Sequence, residues 1–149
     1  MSKLNFITFT NKGYVDYTKN LLVSNFRNDV NVDIKVYTLD NYSYDYFSDF
    51  HRNVELFEKD DFANKYLSQA DENFGNLMLV KFELIYQELL NNENVFYVDG
   101  DIVFKQDFQD YILNYSPESD IVFQNDLRPS KPNREWVCAG FMYIKSNDI

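Results

Sequence analysis

Apolar positions along this chain fall into two rhythms. "KLNFITFT" (residues 3–10) is a short β-branched and aromatic run that stops at the turn-like "NKG", which predicts a buried strand followed by a helix. Tyr14, Tyr17, Leu21, Leu22 and Phe26 then recur at helical offsets and predict one buried helix face. "VDIKVYTLD" (32–40) alternates Val32, Ile34 and Val36 with Asp33, Lys35 and Tyr37, the pattern of a strand, and ends in Asp40. A short helix is expected near 41–50, a short strand at 54–57, and a connection up to residue 75. From 76 to 90, Leu77, Met78, Val80, Phe82, Leu84, Ile85, Leu89 and Leu90 cover much of a helix, so a largely buried one is expected, stopped by "NNEN". A strand over 94–104, a helix or turn near 106–115, a strand at 119–126, a loop at 127–135 and a final strand at 136–145 complete the series. Strands alternating with helices imply an α/β fold with a mostly parallel sheet and right-handed crossovers. No repeat or linker divides the chain, so residues 1–149 read as a single domain.

One strand breaks its own pattern. "NVFYVDGDIVF" (94–104) is apolar except for Asp99, Gly100 and Asp101 in its middle, with no cation beside them in sequence. Unpaired buried carboxylates are costly, so something must compensate them. In extended backbone Asp99 and Asp101 leave on the same face, and Gly100 permits a sharp bend between them. Both can then converge on one ion, and oxygen-only ligands suit Mn²⁺ or Mg²⁺, ions that keep water and bridge readily to phosphate. The pair also follows an apolar strand run, and ligands of open α/β sheets bind beyond the carboxyl ends of parallel strands. The bland alternative is a hairpin turn joining 95–98 to 102–104.

Composition narrows the partners. Twenty-four acidic against 14 basic residues give a formal charge of −10, which disfavours nucleic acid and anionic membrane. Cys138 is the single cysteine and His51 the single histidine, so neither an intrachain disulfide nor a thiolate zinc site can form. No segment has the length of a signal h-region or a membrane span, and the chain as given reads as cytoplasmic.

Two families share the central stretch. An apolar run followed by Asp-x-Asp resembles the first motif of haloacid-dehalogenase-type phosphatases, but three apparent strands precede it here and no later Lys and acidic pair is evident. "LNFITFTNKGY", "IKVYTLD", "LMLVKFELIYQELLNNENVFYVDGDIVFKQDF" and "CAGFMYIKS" together resemble the nucleotide-diphospho-sugar transferase family, glycosyltransferases of the Rossmann-like GT-A fold, over nearly the whole chain. The resemblance implies transfer of a sugar from a nucleotide diphosphate, a uridine diphosphate sugar above all, to an acceptor hydroxyl on a glycan, protein or small molecule. It implies that Thr8, Phe9 and Thr10 cradle the nucleotide, that Asp40 sits near base or ribose, and that Lys81 reaches the nucleotide. Asp101 would hold Mn²⁺ or Mg²⁺ directly, and Asp99 would contact the metal or ribose.

Gly140 in "CAGF" resembles the small-residue turn beside the family's donor-sugar site, although Cys138 stands where the family often has Asn. Gln124, Asn125 and Asp126 end a strand expected to run beside the motif strand, where a donor sugar needs polar partners, and Asp126 is the candidate catalytic residue. Each has a plainer reading: Thr8 and Thr10 as strand formers, Asp40 as a helix cap, Lys81 as a snorkelling side chain, Gly140 as a bulge, and Asp126 as a solvated strand end. Arg128, Lys131 and Arg134 form a basic loop able to fold over a diphosphate. Members of the family commonly take a third metal ligand from beyond the last strand seen here, so a truncated or catalytically incomplete binding domain is the alternative expectation.

Overall fold

In the computed structural model, residues 4–59, 65–115, 118–126 and 136–147 are described. Among them six strands form one sheet: β1 (Phe6–Thr10), β2 (Ile34–Thr38), β3 (Val54–Leu56), β4 (Asn94–Val98), β5 (Ile121–Asn125) and β6 (Val137–Lys145). Helices α1 (Val15–Arg27), α2 (Asn41–Ser48), α3 (Phe74–Leu89) and α4 (Gln109–Tyr115) connect them, and a 3-10 turn (Lys12–Tyr14) precedes α1. The strand order is β3-β2-β1-β4-β6-β5. β1 pairs in parallel with both β2 and β4, and β2 with β3. β6 enters antiparallel between β4 and β5.

β1 and β4 occupy the middle of the sheet, and successive side chains along them enter opposite cores. Ile7, Val95 and Tyr97 pack with Leu77, Val80, Leu84 and Ile85 of α3, whereas Phe6, Phe96 and Val98 pack with Leu21 of α1 and Phe104. Covering both faces explains why all five residues of β4 are buried and why Tyr37 of β2 is as buried as its alternating neighbours.

The structure corrects four expectations. On α1 the buried stripe is Val15, Thr18, Leu21 and Ser24, while Tyr17 and Phe26 are exposed. Smaller residues face the sheet because the helix comes close to the chain beyond β4: Ser24 Oγ accepts the Phe104 amide at 2.9 Å. α3 buries one face only, with Leu79, Phe82, Tyr86 and Leu90 exposed, since a single helix layer covers that side of the sheet. The strand predicted over 94–104 ends at Val98. Residues 102–105 join no strand, which excludes the hairpin, and the Asp99 carbonyl instead accepts the Ile102 amide at 3.1 Å. Finally, β5 does not neighbour β4, because β6 takes that place and pairs Val98 with Phe141.

Candidate functional site

Asp99, Gly100 and Asp101 leave the carboxyl end of the central strand β4. Asp99 is anchored on three sides. Its amide donates to the Gly140 carbonyl at 2.7 Å, the Tyr97 hydroxyl donates to Oδ1 at 2.7 Å, and the Lys81 ammonium lies 2.8 Å from the same oxygen. Lys81 comes from the buried face of α3 and is 3% exposed, so the cation absent from the local sequence arrives from a helix 18 residues upstream. Its ammonium also donates to the Ala139 carbonyl at 3.1 Å and stands 4.7 Å from the centre of the Tyr97 ring. Burial, followed by the charges of Asp99 and Asp101, raises the Tyr97 phenol well above its ordinary pKa, so it stays a donor.

Two glycines make room for this turn. A Cβ on Gly140 would stand 2.4 Å from Asp99 Oδ2, and one on Gly100 would stand 2.5 Å from Thr18 Oγ1 on α1. Gly140 lies where the β5–β6 register shifts, so the expected bulge and the close approach to Asp99 coincide in one residue. Asp101 is exposed, and its carboxylate makes no hydrogen bond among the described residues.

Asp99, Gly100 and Asp101 line a cavity of about 220 Å³ whose walls include Phe9, Tyr14, Tyr66, Phe74 and Tyr97. The sequence pattern placed Tyr14 on a helix face and gave no sign of Tyr66. Gly13 was the available signal: a Cβ there would lie 2.1 Å from the Tyr66 amide, so only glycine lets the 65–67 segment cross against the turn before α1. The Tyr14 hydroxyl then donates to the Leu67 carbonyl, and the Tyr14 and Tyr66 rings stand 4.8 Å apart.

The other sequence candidates separate. Phe9 joins the cavity wall, whereas Thr8 and Thr10 are fully buried in β1, with Thr10 Oγ1 donating to the Asn11 carbonyl at 3.4 Å. Asp40 is buried and caps α2: Oδ1 accepts the Ser43 amide at 2.9 Å, and Oδ2 accepts the Lys12 amide at 2.7 Å and the Ser43 hydroxyl at 2.9 Å. Gln124 and Asn125 line a second, larger cavity of about 640 Å³ with Phe96, Phe108, Phe123 and Phe141. Phe96 and Tyr97 point to opposite faces of the sheet, so the two cavities lie on opposite sides, and Asp101 borders both. Asp126 lies just beyond β5, exposed, its amide donating to the Trp136 carbonyl at 2.7 Å. Because β6 intervenes, the strand it follows does not run beside β4 as the sequence suggested. Arg128, Lys131 and Arg134 fall outside the described residues.

Among the described residues no three His, Cys, Asp or Glu side chains gather as a metal site. The donor set present is one clamped and one open carboxylate. It suits a hard divalent ion that completes its shell with water and phosphate oxygens. His51 does not contribute, since its Nε2 lies 2.6 Å from the Ile34 carbonyl.

The sequence profile of the nucleotide-diphospho-sugar transferase family matches residues 32–149, most of the chain. The chain belongs to that family. This removes the phosphatase alternative, which the position of Asp99 after the fourth strand in the chain already disfavoured. No curated protein sequence matches the chain. Among solved structures, it is similar to the galactosyltransferase LgtC in complex with donor and acceptor sugar analogues, with TM-score 0.66 and 14% identity, over 95% of this chain and 57% of that one. It is also similar to the glycosyltransferase GlyE of Streptococcus pneumoniae TIGR4, with TM-score 0.54 and 16% identity, over 98% of this chain and 35% of that one. The bifunctional glycosyltransferase WbbM gives TM-score 0.51 and 16% identity, over 97% and 32%. These likenesses establish a GT-A fold. The chain spans little more than half the length of LgtC and about a third of the other two. No helix among the described residues is long and apolar enough to cross a membrane.

Proposed function

We propose that this chain binds a nucleotide sugar and belongs to a metal-dependent glycosyltransferase, moving a sugar from a uridine diphosphate donor to an acceptor hydroxyl. The observation that carries the reading is the opening of Asp99 and Asp101 into an aromatic-walled cavity at the carboxyl end of β4. Flat rings such as Tyr14 and Tyr66 suit a planar base, and paired carboxylates at the other end suit a cation shared with a diphosphate. At about 220 Å³ the cavity is smaller than the roughly 300–1,000 Å³ that encloses a drug-sized ligand, so a nucleotide sugar would occupy it in part and extend over the adjoining surface.

Asp101 and the Oδ2 of Asp99 would hold Mn²⁺ or Mg²⁺, which when bound offsets the charge building on the departing diphosphate. Asp101 offers a full negative charge, because no cation pairs with it among the described residues, whereas Lys81 offsets that of Asp99. Tyr97 and Lys81 hold Asp99 in place, and the aromatic walls exclude water from one side of the ligand.

The test is release of uridine diphosphate from its sugars in the presence of Mn²⁺, compared between the wild-type chain and Asp101→Ala. Release that requires both the metal and Asp101 supports the reading, and equal release by the variant contradicts it. A second reading is binding without turnover. Metal-dependent binding with no release would select it.

A further inference from the structure

We propose that Lys81 is a positioning residue that acts through Asp99 and makes no contact with the nucleotide. The inference deepens the proposed function and rests on it. A lysine ammonium has three donors and no acceptor. Here Asp99 Oδ1 and the Ala139 carbonyl take two, and the Tyr97 ring face lies under the charge. Lys81 is almost wholly buried and is not part of the cavity wall, whereas Asp99 is. A Lys81 side chain that moved into the cavity to meet a diphosphate would give up its contact with the half-exposed Asp99 carboxylate and with the Ala139 carbonyl, and so release the carboxylate it holds.

The same clamp decides which oxygen of Asp99 works. Oδ1 already accepts from both Lys81 and Tyr97, so Oδ2 is the one left for a ligand. Gly140 stands beside Oδ2 without a side chain that would block it. The family resemblance suggested a lysine reaching the nucleotide, while the contacts describe a lysine that aims a carboxylate.

A double-mutant cycle tests this. The affinity for uridine diphosphate in saturating Mn²⁺ is measured calorimetrically for wild type, Lys81→Met, Asp99→Asn and the double variant. Lys81→Met is expected to weaken binding about tenfold in the wild-type background and by less than about twofold in the Asp99→Asn background. An equal loss in both backgrounds means direct contact with the nucleotide and overturns the proposal. No binding by the wild type overturns the functional reading itself, a distinguishable failure. Should Lys81→Met lose its cooperative melt, Tyr97→Phe replaces it in the cycle, because it removes only the second donor to Oδ1. The same dependence on Asp99 is then expected, and a Tyr97→Phe effect that is absent or independent of Asp99 overturns the clamp.

Discussion

Gly140 sits so close to Asp99 that a Cβ at position 140 would stand 2.4 Å from Asp99 Oδ2. Asp99 cannot simply swing aside, because Lys81 and Tyr97 hold its other oxygen. Gly140→Ala is therefore expected to displace the carboxylate and weaken Mn²⁺-dependent nucleotide affinity by about 1.5–3 kcal/mol, the range for losing a hydrogen bond to a charged group. Calorimetric affinity compared with the melting temperature checks this: the affinity should fall well beyond what any loss of stability explains.

Gly100 meets Thr18 in the same way, with a prospective Cβ 2.5 Å from Thr18 Oγ1. Gly100→Ala presses a methyl group against the fully buried Thr18 and should cost about 1–3 kcal/mol. Adding Thr18→Ala removes the colliding hydroxyl, so the double variant should regain part of that loss. Urea unfolding midpoints of the single and double variants measure the recovery.

Asp40 ties two backbones together, capping α2 and accepting the Lys12 amide beyond β1. Asp40→Ala is expected to destabilise the fold by about 1–2 kcal/mol, and Asp40→Asn by less. Thermal melts separate this from a ligand-binding role, since a residue used only by ligand would leave the unliganded melt unchanged.

Glu88 supplies the pH dependence. Burial pushes its carboxyl up, but hydrogen bonds from Lys35, Tyr37 and Asn5 outweigh that and hold it below the usual range. A carboxylate with a depressed folded pKa contributes stability above its unfolded pKa, about 4.3, and loses it as pH falls through the folded value. Glu88→Gln should therefore be less stable than wild type at pH 7, with the gap narrowing below about pH 4. Chemical denaturation across pH 3 to 7 reads it.

Most of the fold was legible because each strand is short, apolar and bounded by polar residues, and because α2, β3 and α4 fell within the stretches expected to hold them. The position of β6 was not legible. Local pattern does not say which edge of β4 a returning strand will take, and that insertion separates β5 from β4. The pairing of Lys81 with Asp99 also escaped, since only the packing of α3 on β4 brings residues 18 positions apart into contact. The exposed Phe82 and Leu90 show the converse: a helix rich in apolar residues still buries only the face that meets the sheet. The aromatic wall was hidden because Tyr66 lies in a segment without periodicity.

Asp99 and Asp101 are proposed to bind a divalent cation together with a nucleotide diphosphate. Titrating uridine diphosphate into the wild-type chain and into Asp101→Ala, each with Mn²⁺ and with chelator, tests it most directly. Binding by the wild type that needs Mn²⁺ and disappears in the variant is the predicted result. Equal binding in chelator, or by Asp101→Ala in Mn²⁺, would contradict it.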